Sequence, residues 1–401
     1  MRVERELDEA FRRDWGRVVA TLIGVTGDWD LAEEAAQEAF ASALTAWRRD
    51  GVPAQPRAWL ITTARNRAVD RIRRERVGAA KMREAAFFNE PDAVSAATVD
   101  TSIPDDRLRL IFTCCHPALA FEAQVALALR TLCGLTTAEI ARSFLVPEAT
   151  MAKRLVRAKQ KIATAGIPYR VPPAHQLPRR TSAVLGVVYL LFHEGYVALD
   201  RPELCERAIQ LAALVADLMP DDPEARGLHA LLLLLHARAA ARTDPDGALV
   251  PLEEQDRSRW DAAMIDAGTR QIRDAMRAER PGPYQLQALI AACHATAPTP
   301  AHTDWARIVT LYDGLATLVP SATVRLNRAV AVGMSTGPDA GLALLDEVGD
   351  HPLLPAARAD LLRRLGRRAD AADQYRRALA ATDVAGERAY LERRLAECIA
   401  S

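Results

Sequence analysis

Several short runs hold the residue types that chemistry most often uses, and each lacks a partner the chemistry needs. His193-Glu194 is half of the His-Glu-x-x-His zinc signature, but Val197 stands where the second imidazole belongs. Cys114, Cys115 and His116 offer sulfur and imidazole. No other Cys or His pair at metal-ligand spacing accompanies them, and cysteine is often simply a buried residue. Gln255-Asp256-Arg257 and the run from Tyr284-Gln285 to His294 are more polar than helix packing requires. They are suited either to buried networks that fix helix angles or to a pocket or partner surface. No Ser/His/Asp or Cys/His arrangement, glycine-rich phosphate loop or paired-carboxylate site emerges, so the expectation is a non-enzyme without metal or cofactor.

The charged residues form clearer patterns. Thr136-Thr137-Ala138-Glu139 has the capping-box form that starts a helix. The small Ala141 would let a second helix cross closely, and Pro147 fits the first turn of that second helix. Met151, Leu155, Ala158 and Ile162 then recur at spacings of one helical turn and form a core-facing stripe. Thr150, Lys153, Arg154, Arg157 and Lys161 occupy much of the other side. A basic helix second in a short-turn pair is the geometry that enters the DNA major groove. Leu145 stands at the turn position where glycine is usual.

Two more helices complete the set. In Gln55–Val77, Ile61, Ala64, Ala68 and Ile72 make the buried stripe. Trp59, Thr62, Asn66, Asp70 and Arg73 share another face, flanked by Arg65, Arg67, Arg71 and Arg74. An aromatic ring and an amide among guanidiniums suit unstacked bases; alternatively, these arginines pair with the helix's own acidic residues or with the preceding acidic helix. That helix, Asp28–Trp47, buries Leu31, Ala35, Phe40 and Leu44 and exposes Asp30, Glu33, Glu34, Gln37 and Glu38. Such a face cannot approach phosphate favourably, so it is either solvated or docks a protein.

Helices must position all of these residues. The 401 residues suffice for about two to four domains. Half are hydrophobic, aromatics are few, and helical periodicity is nearly continuous. Lys plus Arg equals Asp plus Glu at 52 each, so net charge selects no partner and only its distribution informs. Six scattered cysteines point to a reduced, cytoplasmic setting. The charged N-terminus lacks the apolar core of a secretion signal. The longest apolar run, Ala183–Phe192, is far short of the roughly 20 residues that span a bilayer.

Proline and glycine punctuation divides the chain into an N-terminal helical module (1–78), a linker (79–104), a helix-turn-helix module (105–166), a Pro-rich connector (167–181) and a helical C-terminal region (182–401). In the last region, Ala359, Leu362, Gly366, Ala371, Tyr375 and Ala378 fall at tetratricopeptide (TPR) spacing. Tyr312, Pro320 and Asn327-x-Ala329-Val330-Ala331 form a fair second repeat, and Pro202–Pro298 is only suggestive. The expected fold is all-α, two small helical modules followed by an α-solenoid.

Three motifs together carry a family resemblance. They are Asp30-x-Ala32-Glu33-Glu34-x-x-Gln37-Glu38-Ala39-Phe40, Trp59-Leu60-x-x-x-Ala64-Arg65-Asn66-x-x-x-Asp70, and the Glu139-Ile140-Ala141 helix-turn-helix. They resemble regions 2 and 4 of bacterial RNA polymerase sigma factors, most closely the extracytoplasmic-function (ECF) group, over nearly all of residues 1–165. Phe112–Leu119, Leu190–Tyr196, Glu253–Asp261, Arg280–Ala295 and the TPR-like tail resemble an ECF subgroup with a long helical C-terminal extension.

The resemblance implies that Asp30, Glu33, Glu34, Gln37 and Glu38 dock on the clamp helices of the largest polymerase subunit, with the flap region receiving the second module. It implies that Trp59, Arg65, Asn66, Arg67, Asp70, Arg71, Arg73 and Arg74 hold the −10 element. Thr150, Lys153, Arg154, Arg157 and Lys161 would face the −35 groove, and the linker would thread towards the polymerase active-site and RNA-exit path. Core polymerase and promoter DNA are the implied partners and supply the catalysis. The C-terminal solenoid is expected to regulate, through an intramolecular contact with the sigma modules or by touching the polymerase. A stand-alone helix-turn-helix regulator and a TPR-type adaptor are the alternative readings.

Overall fold

The computed structural model describes residues 2–84, 106–144, 146–198, 202–382 and 384–400. Residues 85–105, which hold most of the expected linker, and Leu145 lie outside the described residues. Those described form helices α1 to α18, short 3-10 turns and one isolated bridge between Thr243 and Leu249, with no strand. The chain divides into two compact units, Met1–Val188 and Tyr189–Ser401.

In the first unit α1 (Arg2–Thr26), α2 (Trp29–Asp50) and α3 (Pro56–Glu84) pack on one another. Asp28 starts α2 by accepting the backbone N–H groups of Asp30 and Leu31 at 2.9 and 3.0 Å. Phe11, Trp15 and Phe40 cluster where α1 meets α2, tilted or edge-on to one another, with ring centroids 5.0 to 5.9 Å apart. Asp14 is fully buried there and is met by Arg57 at 2.8 Å and Arg13 at 2.9 Å. Helix α3 continues six residues past the expected module end at residue 78.

Four shorter helices follow: α4 (Asp106–Cys114), α5 (Phe121–Thr131), α6 (Thr137–Ser143) and α7 (Glu148–Thr164). The capping box forms at α6, where the Thr136 hydroxyl accepts the Glu139 N–H and the Glu139 carboxylate accepts the Thr136 N–H. Pro147 sits one position earlier than expected, as the residue just outside α7. The Pro-rich connector is not a free spacer. Ile167 is buried, Tyr169 Oη donates to the Ala20 carbonyl at 2.8 Å, and Arg180 Nη2 donates to the Phe112 carbonyl at 2.5 Å. The division between the units falls within α8 (Leu177–Ala198).

The second unit is a succession of helices, each packed on its chain neighbours: α9 (Pro202–Leu218), α10 (Pro223–His236), α11 (Ala262–Met276), α12 (Pro283–Ala295), α13 (Trp305–Leu318), α14 (Ala322–Ser335), α15 (Pro338–Leu345), α16 (Leu354–Arg364), α17 (Arg368–Ala380) and α18 (Ala385–Ile399). The TPR-spaced residues form one cluster: Ala359, Leu362, Ala371, Tyr375 and Ala378 are buried together with Leu391 and Cys398. Gly366, at φ +75°, makes the turn between α16 and α17. Helices α14 and α15 approach through Gly333 and Gly341, where a Cβ on Gly341 would lie 2.7 Å from the Gly333 Cα.

The polar runs that composition left open divide into networks. Glu253 meets Arg363 and Arg364, and Glu254 meets Arg393 and Arg394, joining the loop after α10 to α16 and α18. Gln255 donates to the Val250 carbonyl at 2.9 Å. Gln285 is fully buried, and Glu224 on α10 accepts the Tyr284 and Gln285 backbone N–H groups, both at 3.0 Å. Those donors head α12 and have no helical partner of their own. Glu224→Ala would strand them and lower stability by about 1–3 kcal/mol, measured by urea unfolding; Glu224→Gln, which keeps an acceptor, should recover part of the loss.

Candidate nucleic-acid interface

Helix α7 has the two faces that the sequence specifies. Met151, Leu155, Ala158 and Ile162 are buried; Thr150, Lys153, Arg157 and Lys161 are exposed. Arg154 is half-buried, with its guanidinium 5.7 Å from the centre of the Phe144 ring on the turn. Ile140 and Ala141 of α6 are buried against this stripe, so the basic side faces outward from a helix pair. Four of the five candidate groups are therefore open to solvent, a surface of the right charge for duplex phosphate.

Helix α3 departs from expectation in its details. Leu60, Ala64 and Ala68 are buried, while Ile61 and Ile72 are only half-buried. Trp59 is half-buried and meets the Trp47 ring edge-on, with centroids 5.8 Å apart. Arg65, Asn66, Arg67, Asp70, Arg73 and Arg74 are exposed. Two arginines reach the acidic helix: Arg71 pairs with Glu34, and Arg67 lies 4.0 Å from Glu38 and donates to Ser42. These pairs are roughly half exposed and each contributes little, about 0–1 kcal/mol, so they orient the side chains without fixing them.

Helix α2 holds the main correction. Glu33, expected on the exposed acidic face, is buried. Its core side is almost all alanine (Ala32, Ala35, Ala36, Ala39 and Ala43, with Phe40 and Trp47), whereas the larger Leu31 and Leu44 are half-buried. Glu33 is answered from the helix-turn-helix module. Arg130 Nε donates to its Oε2 at 2.9 Å, and Lys159 Nζ lies 2.9 Å from Oε1 and 2.8 Å from Asp30. Lys159 belongs to α7 itself and is 13 % exposed. The remaining acidic-face residues, Glu34, Gln37 and Glu38, stay exposed.

Further contacts reinforce this junction. Trp15 Nε1 donates to the Arg130 carbonyl at 3.3 Å, and Thr21 donates to Asp106 at 3.2 Å. Gly16 lies so close to α5 that an added Cβ would sit 2.7 Å from the Leu132 carbonyl oxygen. Arg130 and Lys159 were not among the sequence candidates. Local periodicity cannot connect residue 33 to residues 97 and 126 positions away; only Lys159's place off the basic face hinted at another task.

Cys114 and Cys115 are buried, and burial pushes the Cys114 thiol up to about 12 and Cys115 further, so both remain neutral thiols. His193 and Glu194 are exposed on α8. Among the described residues no group of three His, Cys, Asp or Glu side chains could hold a metal ion, and no helix is long and apolar enough to cross a membrane.

A three-helix module carrying an acidic and an arginine-rich helix, followed by a helix-turn-helix with an open basic face, defines the class of bacterial promoter-specificity subunits. Comparison with known proteins agrees. Residues 10–77 match sigma-70 region 2, residues 109–162 match sigma-70 region 4, and residues 180–276 match a family of unknown function, DUF6596. The ECF RNA polymerase sigma factor SigK of Mycobacterium ulcerans (strain Agy99) is 30% identical over 143 residues, covering 35% of this chain and 74% of the relative. SigK of Mycobacterium tuberculosis (strain ATCC 25618 / H37Rv) is 31% identical over 144 residues, with the same coverage. An uncharacterized protein of Rhizobium meliloti (strain 1021) is 46% identical over 391 residues, covering 94% of this chain and 92% of the relative. No solved structure matches. The chain belongs to the ECF group of RNA polymerase sigma factors.

The junction makes a direct prediction. Lys159→Glu should replace an attraction to Asp30 and Glu33 by repulsion and separate the two modules. Fluorescence energy transfer between dyes on exposed sites of α2 and α7 should fall, and urea unfolding should lose about 1–3 kcal/mol. Unchanged transfer efficiency would show that the ion pairs do not hold the junction.

Proposed function

We propose that this sigma factor docks on core polymerase through the acidic side of α2, contacts the −10 element with α3, and reads the −35 element with α7. The observation that supports this most directly is the pair of opposite surfaces on one unit, an acidic α2 edge and an outward basic α7 face. The fields fit the partners. Carboxylates favour a protein surface over phosphate, whereas Lys153, Arg154, Arg157 and Lys161 favour duplex DNA. Arg65, Asn66, Arg73 and Arg74 offer planar and amide groups to unstacked bases.

In this reading the free chain is closed. Asp30 and Glu33, two of the docking carboxylates, are held by Lys159 and Arg130. Polymerase docking would exchange an intramolecular ion-pair set for an intermolecular one, and it would free α7 to reach the separate −35 site. The second unit is the regulatory part: it adds an extended helical surface to a sigma chain. SigK supports this division, because the matched 35% of this chain spans 74% of that relative.

Run-off transcription with core enzyme and a cognate promoter tests the reading. The full chain should direct initiation, and Arg154→Ala with Arg157→Ala should weaken it by about 1–3 kcal/mol per lost base or phosphate contact. Duplex binding without core polymerase, coupled to no initiation with it, would favour a stand-alone regulator. A chain ending at Val188 should initiate at a changed rate if the second unit regulates, and at the parent rate if it does not.

A further inference from the structure

Among the described residues, the second unit gathers three guanidinium groups that no carboxylate neutralises. Arg238 follows α10, Arg242 follows the 3-10 turn Ala239–Ala241, and Arg257 opens the turn Arg257–Arg259. Tyr196 on α8 engages the first two. Arg238 Nη2 donates to its phenol oxygen; Arg242 Nη1 donates to its backbone carbonyl at 2.6 Å, with the guanidinium 3.5 Å from the ring centre. Arg257 lies 4.3 Å from the Trp260 ring centre, and its Nη1 donates to the His294 and Ala297 carbonyls, both at 2.8 Å. Its buried Nε has no partner.

The turn Ala239–Ala241, flanked by Arg238 and Arg242, packs against the turn Arg257–Arg259, so these groups share one electrostatic environment. Burial holds Arg242 and Arg257 below the ordinary guanidinium range, and the positive charge of Arg238 lowers both further. His294, whose ring meets Trp305 at 5.2 Å, is driven down to about 4 by burial and then by Arg238 and Arg257. Arg238 therefore acts on two like charges and an imidazole at once.

Other partly buried arginines of this unit are answered differently. Arg363 and Arg364 share Asp360 and Glu253, and Arg394 has Glu254 and Glu397. Among the described residues the contacts of Arg238, Arg242 and Arg257 are a phenol, backbone carbonyls and aromatic rings. Arg242 and Arg257 gain something from the carbonyl ends of α8 and α12, where the helix dipole favours a cation. Among the described residues Arg238 meets only the Tyr196 phenol and its ring, and the dipoles do not account for its approach to two like charges.

We propose that Arg238, Arg242, Arg257 and His294 form a binding site for a small oxyanion of the phosphate class, which supplies the negative charge that the surrounding side chains lack. Guanidinium forks match phosphate oxygens in pairs, and the neighbouring imidazole adds a further nitrogen. The site rests on the second unit alone and is independent of the polymerase reading, so binding can be tested without transcription. Free phosphate and the phosphate of a small organic ester share this chemistry.

The full chain is titrated with inorganic phosphate and, in a second arm, with glycerol 3-phosphate, against chloride at equal ionic strength. Saturating phosphate should raise the melting temperature by about 2–4 °C over chloride. It should also move the His294 imidazole titration, followed by NMR, upward by about one unit, because a bound anion offsets the arginine field. Arg238→Gln should abolish both responses while melting in chloride no lower than the parent, since one repulsive charge is gone; Arg238→Lys should retain part of each. A tighter response to the ester assigns the site to an organic phosphate, and an equal one to free phosphate. The proposal is overturned if the parent chain shows no phosphate-specific rise and no His294 shift, or if Arg238→Gln keeps the phosphate response.

Discussion

A carboxylate taken out of water must find cations or give up its charge, and Glu33 finds two on a different module. Arg130 and Lys159 meet its two oxygens from α5 and α7. Removing either partner from a pair of this kind leaves a buried charge poorly compensated, so the junction specifies one arrangement of the modules. The close approach of Gly16 to the Leu132 carbonyl and the Trp15 bond to the Arg130 carbonyl depend on that arrangement. So does the connector, whose Tyr169 hydroxyl bridges carbonyls from α1 and α4. The functional consequence is asymmetric. The closed unit covers part of the acidic edge of α2 and leaves the basic face of α7 open.

What could be read directly from the sequence is what local geometry controls. The capping box at Thr136 and Glu139 and the stripe Met151, Leu155, Ala158 and Ile162 are set within one or two helical turns, and both form as expected. The turn at Gly366 and the small-residue cluster around Tyr375 follow for the same reason. Helix α2 differs from expectation because side-chain size is a poor guide in an alanine-rich helix. There the close approach of α1 and α3 requires the small Ala32, Ala35, Ala36, Ala39 and Ala43, and Leu31 and Leu44 fall at the margin. In α3 the ring of Trp59 packs on Trp47, which shifts the buried side to Leu60.

Long-range polar pairing left no local signature. Glu33 reads as one more residue of an acidic face, and Asp14 as one charge in a charged helix; yet both are buried and held by cations distant in the chain. The second unit follows the same principle with opposite results at two places. Glu253 and Glu254 are met by arginines of α16 and α18 and lock the unit internally. Among the described residues Arg238, Arg242 and Arg257 have no such counter-charges, which sets the proposed oxyanion site apart from a structural ion-pair network.

In the proposed function, the module junction and polymerase docking compete for the acidic edge of α2. Spin labels on exposed positions of α2 and α7, measured as a distance distribution by pulsed dipolar spectroscopy with and without core polymerase, test it directly. A single short distance in the free chain should give way to a longer one when core enzyme binds. A short distance that persists in the bound state would contradict it.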